Sequence, residues 1–140
     1  MQMQRLINIL HQEQCSLVVK SVDGEIVIGK KKGVRDLMWF LSNAPQKLKG
    51  AIIADKVVGR AAAGLMVRGG VIEVYADIMS RLAIPLLKEA NIIYDYKILV
   101  ENIVIKEGDN RCPLEDIVKE ADSAEQVENL LKNYFLSMPK

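Results

Sequence analysis

The sequence predicts an α/β fold, a three-layer α/β/α arrangement around a mixed sheet of about five strands. Three observations predict it. Two β-rich runs, Cys15–Lys20 and Glu25–Lys30, are joined at Val22-Asp23-Gly24, and Asp-Gly between such runs signals a hairpin. From Ala51 onward, short apolar runs alternate with segments of helical spacing, the pattern of a parallel sheet with right-handed crossovers. Both ends of the chain carry apolar residues at helical period. The sheet is therefore expected to be antiparallel first and parallel afterwards.

Taken in order, Met3, Leu6, Ile7 and Leu10 fall at i, i+3, i+4 and i+7 and predict an amphipathic helix. The hairpin follows, and Lys30–Lys32 with Gly33 reads as a solvated turn. Val34, Leu37, Met38 and Leu41 restore helical spacing, which Asn43-Ala44-Pro45 ends. Ala51–Ala54 is wholly apolar, as expected of a strand buried on both faces. Asp55 closes that run. Val57–Val67 is expected to be a helix, stopped by Gly69-Gly70. Val71–Ala76 predicts a second strand closed by Asp77, Met79–Ala90 a second helix, and Ile92–Leu99 a third strand. Pro85 inside that helix is expected to kink it or confine its first part to a short turn. Ile103–Lys106 predicts a further strand and Glu107–Arg111 a polar turn. Pro113 starts a short helix, and Ser123-Ala-Glu-Gln126 is a capping box for the last one. There Val127, Leu130, Leu131, Tyr134 and Phe135 form one apolar face.

With 140 residues, the chain is expected to be one domain, 1–140, with its core at 15–116 and terminal helices at about 3–13 and 124–137. Nineteen basic residues nearly cancel eighteen acidic ones, a balance that offers nucleic acid or an anionic membrane no electrostatic attraction. No apolar run reaches a membrane span, and MQMQRLINIL lacks the layout of a signal peptide. A cytoplasmic location is expected. There Cys15 and Cys112, the two cysteines, are expected to be free thiols.

If the first two parallel strands are neighbours, Asp55 and Asp77 emerge at the C-terminal edge of the sheet, where open α/β sheets bind ligands. Asp55 beside Lys56 pairs a carboxylate with an ammonium, suited to holding and activating a small polar substrate. The structural alternative is that Asp55 and Asp77 are helix N-caps. Ser80 lies in the turn after Asp77. Gly59, Ala61–Ala63 and Gly64 make one helix thin; that permits close packing, and Gly59 also lets backbone approach a ligand. In Arg111-Cys112-Pro113-Leu114-Glu115, the thiol precedes a helix, where Arg111 and the helix dipole favour a thiolate. The same letters also spell an ordinary helix start. His11, the one histidine, is expected to be a solvated surface residue and Cys15 a buried hydrophobe. One histidine and two scattered cysteines do not make a usual zinc site. Neither a phosphate loop nor a serine elbow is present.

At ADKVVGRAAAGLMVRGGVIEVYAD and again at RCPLED, the chain resembles a family of bacterial and archaeal proteins with a cytidine-deaminase-like fold. The resemblance covers about Cys15–Asp116, and the terminal helices are less clearly included. It implies an α/β/α domain with a mixed sheet. It also implies that the places where zinc deaminases carry their metal ligands and glutamate fall here at Asp55-Lys56-Val57 and Asp77-Ile78-Met79-Ser80. Those places lack the zinc ligands and the glutamate. The shared DK and CPLE imply one pocket containing Asp55, Lys56, Cys112 and Glu115.

The expectation is therefore a small polar ligand, a nucleoside or nucleotide by fold analogy, bound at the C-terminal edge without zinc deaminase chemistry. Asp55 would act as acid or base, Lys56 would orient substrate, and Cys112 would be a nucleophile or redox thiol. Gly59, Asp77, Ser80, Arg111 and Glu115 would line the site. No cofactor or metal is predicted, although Asp55, Asp77 and Glu115 together suit magnesium or manganese. The alternatives are a non-catalytic regulatory module and an assembly protein that forms homo-oligomers through its amphipathic terminal helices.

Overall fold

The computed structural model of the protein describes residues 2–31, 34–101, 104–105, 110–111 and 113–137, with the backbone alone at 2, 104, 105, 110, 111, 113, 115 and 116. The chain opens with helix α1 (Gln2–Gln12) and the hairpin β1 (Leu17–Lys20) and β2 (Ile26–Gly29). Helix α2 (Arg35–Asn43) follows. Then come strand β3 (Ile52–Val58), helix α3 (Arg60–Gly69), strand β4 (Glu73–Ser80), helix α4 (Ile84–Glu89) and strand β5 (Ile93–Val100). Two short strands, β6 (Val104–Ile105) and β7 (Asn110–Arg111), pair with each other, and helices α5 (Pro113–Val118) and α6 (Ala124–Ser137) complete the described chain.

The main sheet has five strands in the order β2-β1-β3-β4-β5. β1 pairs antiparallel with β2 and β3, whereas β3-β4-β5 are parallel. This is the mixed sheet that the hairpin signal and the alternating runs predict. Its two faces are covered unequally. Ile53, Val74 and Ala76 turn toward α2, α3 and α6 and share one core with Leu37, Leu65 and Leu131. Ala54 and Tyr75 turn the other way and pack with Leu6 and Leu10 of α1. Both terminal helices thus bury their apolar faces on their own sheet or its helices. Leu130 departs from the expected stripe and is 37% exposed.

Three boundaries differ from expectation. β3 runs on through Asp55-Lys56-Val57-Val58, and α3 begins only at Arg60 after Gly59. β4 runs on through Asp77-Ile78-Met79-Ser80. Neither aspartate is a helix N-cap; both are interior strand residues. The reason is the β-branched and apolar residues after each acid, which suit a pleated surface better than a first helical turn. Pro85 causes no kink, because it occupies the first turn of α4 after a short 3-10 turn, Arg81–Ala83. Gly70, with φ of 83°, ends α3 in the left-handed conformation that its glycine permits. Ser123 caps α6 by accepting from the Gln126 N–H, while the Gln126 side chain accepts from Asp122.

The strands share a local irregularity. The ladders skip Lys56, Asp77 and Lys97, which lie side by side between the pairs Asp55–Ala76–Tyr96 and Val57–Ile78–Ile98. Before the gap, Tyr94 and Tyr96 face the large core; after it, Leu99 does. The alternation therefore slips by one residue. On each strand two successive residues turn to the α1 side.

Candidate functional site

The register of β3 against β4 decides which candidate residues meet. Asp55 lies level with Ala76, before the slip, on the face of Ile53, toward α2. There it is buried, 8% exposed, and its Oδ1 accepts from the Val57 N–H at 3.3 Å. Burial pushes its carboxyl up to about 8, against hydrogen bonds from the Val57 and Lys56 backbone, while the carboxylates of Asp36 and Asp77 push the same way. Asp36, in the first turn of α2, is equally buried. Its Oδ2 accepts from the Ser16 hydroxyl at 3.2 Å and from the Lys31 N–H at 2.9 Å. Gly29 closes this corner; a Cβ there would stand 2.5 Å from Asp36 Oδ2. Two buried carboxyls thus lie in the corner where β1, β3 and the start of α2 converge, near enough for the charge of Asp36 to act on Asp55.

Lys56 and Asp77 lie in the next row and turn to the α1 side by ordinary alternation. Lys56 is exposed. Asp77 is held from two directions. His11 Nε2, at the end of α1, lies 2.9 and 3.0 Å from its two carboxylate oxygens. The Tyr75 hydroxyl donates to Asp77 Oδ1 at 2.9 Å. Burial, then the bond to Asp77, pushes the Tyr75 hydroxyl up to about 12. His11 is therefore not a freely solvated residue. It ties α1 to the sheet, although half of its side chain remains exposed. The expected single pocket is divided: Asp55 lies on one face of the sheet, Lys56 and Asp77 on the other.

The remaining candidates fall out in three ways. Ser80 is fully buried, and its hydroxyl accepts from the Leu82 N–H at 3.1 Å, a capping role for the 3-10 turn. Ser80→Ala is expected to cost about 1 kcal/mol of stability in urea unfolding and to leave ligand binding unchanged. Gly59 is the extended residue just before α3. Cys112 lies outside the described residues, and for Arg111 and Glu115 the backbone alone is described, in β7 and α5. Cys15 is buried as expected, and burial raises its thiol.

Two residues that the sequence does not single out matter here. Asp36 reads as an ordinary helical acid, and only tertiary placement sets it beside Asp55. Arg60, the first residue of α3, donates to the Leu82 carbonyl at 2.9 Å and to the Ala121 carbonyl. It fastens α3 to the turn after β4 and to the approach to α6. A signal existed for Arg60, a cation in a first helical turn that opposes the dipole.

Among the described residues, no three His, Cys, Asp or Glu side chains gather as a metal ion needs. Of the three acids considered for magnesium or manganese, Asp55 and Asp77 face opposite sides of the sheet, and for Glu115 the backbone alone is described. No helix of the described residues is long and apolar enough to cross a membrane.

The model of a family described as TM1506, domain of unknown function (DUF1893), matches residues 5–135. Among solved structures, the crystal structure of a DUF1893 family protein (TM1506) from Thermotoga maritima is similar, with a TM-score of 0.85 at 24% identity. The match covers 95% of this chain and 89% of that one. Comparison with curated proteins gives no match.

Proposed function

The chain belongs to the DUF1893 family, and from that premise we propose that it binds a small polar ligand, of the nucleoside or nucleotide class, beside Asp55. One observation carries the proposal: two buried carboxyls, Asp55 and Asp36, lie in one corner of the fold, and burial pushes the Asp55 carboxyl up to about 8. Buried acids with raised pKa cluster where proteins bind and transform ligands. A protonated Asp55 offers a hydrogen-bond donor, and Asp36 offers acceptors. A donor and acceptors side by side suit the donor–acceptor edge of a nucleobase.

The strand order β2-β1-β3-β4-β5, antiparallel and then parallel, supports a deaminase-like fold. It does not bring deaminase chemistry with it, because the donor set fits no zinc. In a catalytic form of the proposal, Asp55 is the acid. Lys56 then acts from the opposite face, on Asp77's side, and not on the same ligand. Cys112 keeps its proposed thiol role only if it reaches Asp55. A second reading, an assembly module, draws support from the strip of sheet over β4 and β5 that is left largely uncovered among the described residues.

Native mass spectrometry with a panel of nucleosides and nucleoside monophosphates tests the proposal. At least one is expected to bind with Kd below about 1 mM. Asp55→Ala should abolish that binding. Asp55→Asn, which keeps a donor and an acceptor, should retain it and lose any turnover. No binding by the whole panel, or binding indifferent to Asp55→Ala, would overturn the proposal.

A further inference from the structure

α1 packs on β1 and β3, so among the described residues the α1 side of β4 and β5 is left largely bare. The slipped row fills that strip with apolar side chains. Val57, Ile78 and Ile98 stand in register across β3, β4 and β5. Val57 is 40% exposed, Ile98 49%, and Ile93 at the start of β5 65%. The neighbouring row is Lys56, Asp77 and Lys97, and its last two members are opposite charges on adjacent strands.

This strip has a symmetry of its own. Consider a two-fold axis running parallel to the strands, between β4 and β5. It places β5 of one copy on β4 of the other. Because Asp77 and Lys97 lie level, Lys97 then faces the partner's Asp77, and Asp77 faces the partner's Lys97. Ile98 likewise faces the partner's Ile78. Other axes fail. One running across the strands would set α1 upon the partner's α1. The chosen axis keeps the two helices apart, since each lies mainly over β1 and β3 and reaches β4 only at Tyr75 and Asp77. The fit in thickness also holds. Packed sheets lie about 10 Å apart, and a helix is about 10 Å across. Each α1 therefore sits level with the partner's sheet and alongside its open β5 edge. The hollow between α1 and the sheet, lined by Met3, Ile7, Tyr75 and Asp95, faces that edge.

We infer that the bare β4–β5 strip is the interface of a homodimer, with Ile78, Ile98, Asp77 and Lys97 at its centre. Self-complementarity under a two-fold axis is what an isologous contact requires. It also removes the liability of an exposed edge strand.

Sedimentation equilibrium of the full chain over a concentration series tests the inference. The wild-type protein is expected to dimerise. Ile98→Glu should give a monomer with an unchanged far-ultraviolet spectrum, because the side chain is half exposed. Lys97→Glu should weaken the dimer at least tenfold at low salt, and Ile98→Leu should preserve it. A wild-type monomer throughout, or a dimer that survives Ile98→Glu, would overturn the inference. An effect of Lys97→Glu no larger than that of Lys49→Glu, outside the strip, would overturn the proposed axis.

Discussion

Asp55→Asn is expected to make the protein more stable at neutral pH and to leave it nearly unchanged at pH 4. The native carboxyl titrates at about 8 and the unfolded one near 3.8. Between those values the folded state holds a proton that the unfolded state has released. Unfolding then becomes easier as pH rises. The stability linked to this group is fully present below about 3.8 and is lost as pH climbs through 8. One pKa unit is worth about 1.4 kcal/mol, so at pH 7 the linked loss is on the order of 4 kcal/mol. Asparagine has the same shape and no proton to lose. The gap between variant and wild type should therefore open steadily from pH 4 to pH 8 in urea unfolding. Two parallel stability curves would show that Asp55 is ionised in the fold, and the proposed donor would disappear with that result. A gain in stability on neutralising one residue has a functional meaning as well. A carboxyl that weakens the fold at the protein's working pH is the kind of group retained for chemistry and not for folding.

The order and type of the main elements are legible in the sequence because hydrophobic period and turn residues set them locally. The hairpin follows from Asp-Gly, α3's end from Gly69-Gly70, and α6's start from Ser123 and Gln126. The ends of β3 and β4 are not legible. Each has an acid after an apolar run, and an acid there is as consistent with a strand interior as with a helix cap. Val57-Val58 and Ile78-Met79 decide the matter, since β-branched and apolar residues extend the strand and Gly59 or Ser80 then turns it.

The site is less legible for a related reason. Asp55 and Asp77 were expected at one edge, and they are near neighbours along the sheet. Which face each occupies depends on the register of β3 against β4, which sets Asp55 level with Ala76 and Asp77 one row further on. A slip of one residue inverts every side chain beyond it. No local pattern announces it, because it is shared among three strands far apart in sequence. Asp36 was invisible for a simpler reason: an acid in a first helical turn needs no explanation until a second buried acid lies beside it. The His11–Asp77 pair shows the same dependence, since its members are 66 residues apart.

Gly64→Ala is the second substitution expected to act strongly, and its sign is not obvious. In an isolated helix, alanine for glycine gains about 1 kcal/mol. Here a Cβ on Gly64 would stand 2.5 Å from Val127 Cγ1 and 2.7 Å from Val127 Cβ. The second atom is attached directly to the α6 backbone, so rotating a side chain gives no relief. α6 itself must retreat from α3. It is fastened there by Arg68, whose Nε donates to Glu128 at 2.7 Å. Burial alone would raise the Glu128 carboxyl, yet Arg68 and Lys132 hold it below the ordinary range. Retreat would stretch that link and open the core around the fully buried Leu131. Overpacking of this kind costs about 1–3 kcal/mol, so the substitution should destabilise despite the better helix former. Val127→Gly, which removes the obstructing atoms, should lose stability alone through its cavity. In combination the two should cost less than their sum, the non-additivity that two side chains competing for one space must show. A Gly64→Ala protein that melts at or above the wild-type temperature would mean that α3 and α6 do not meet at this glycine, and that close packing is not why the α3 helix is built from small residues.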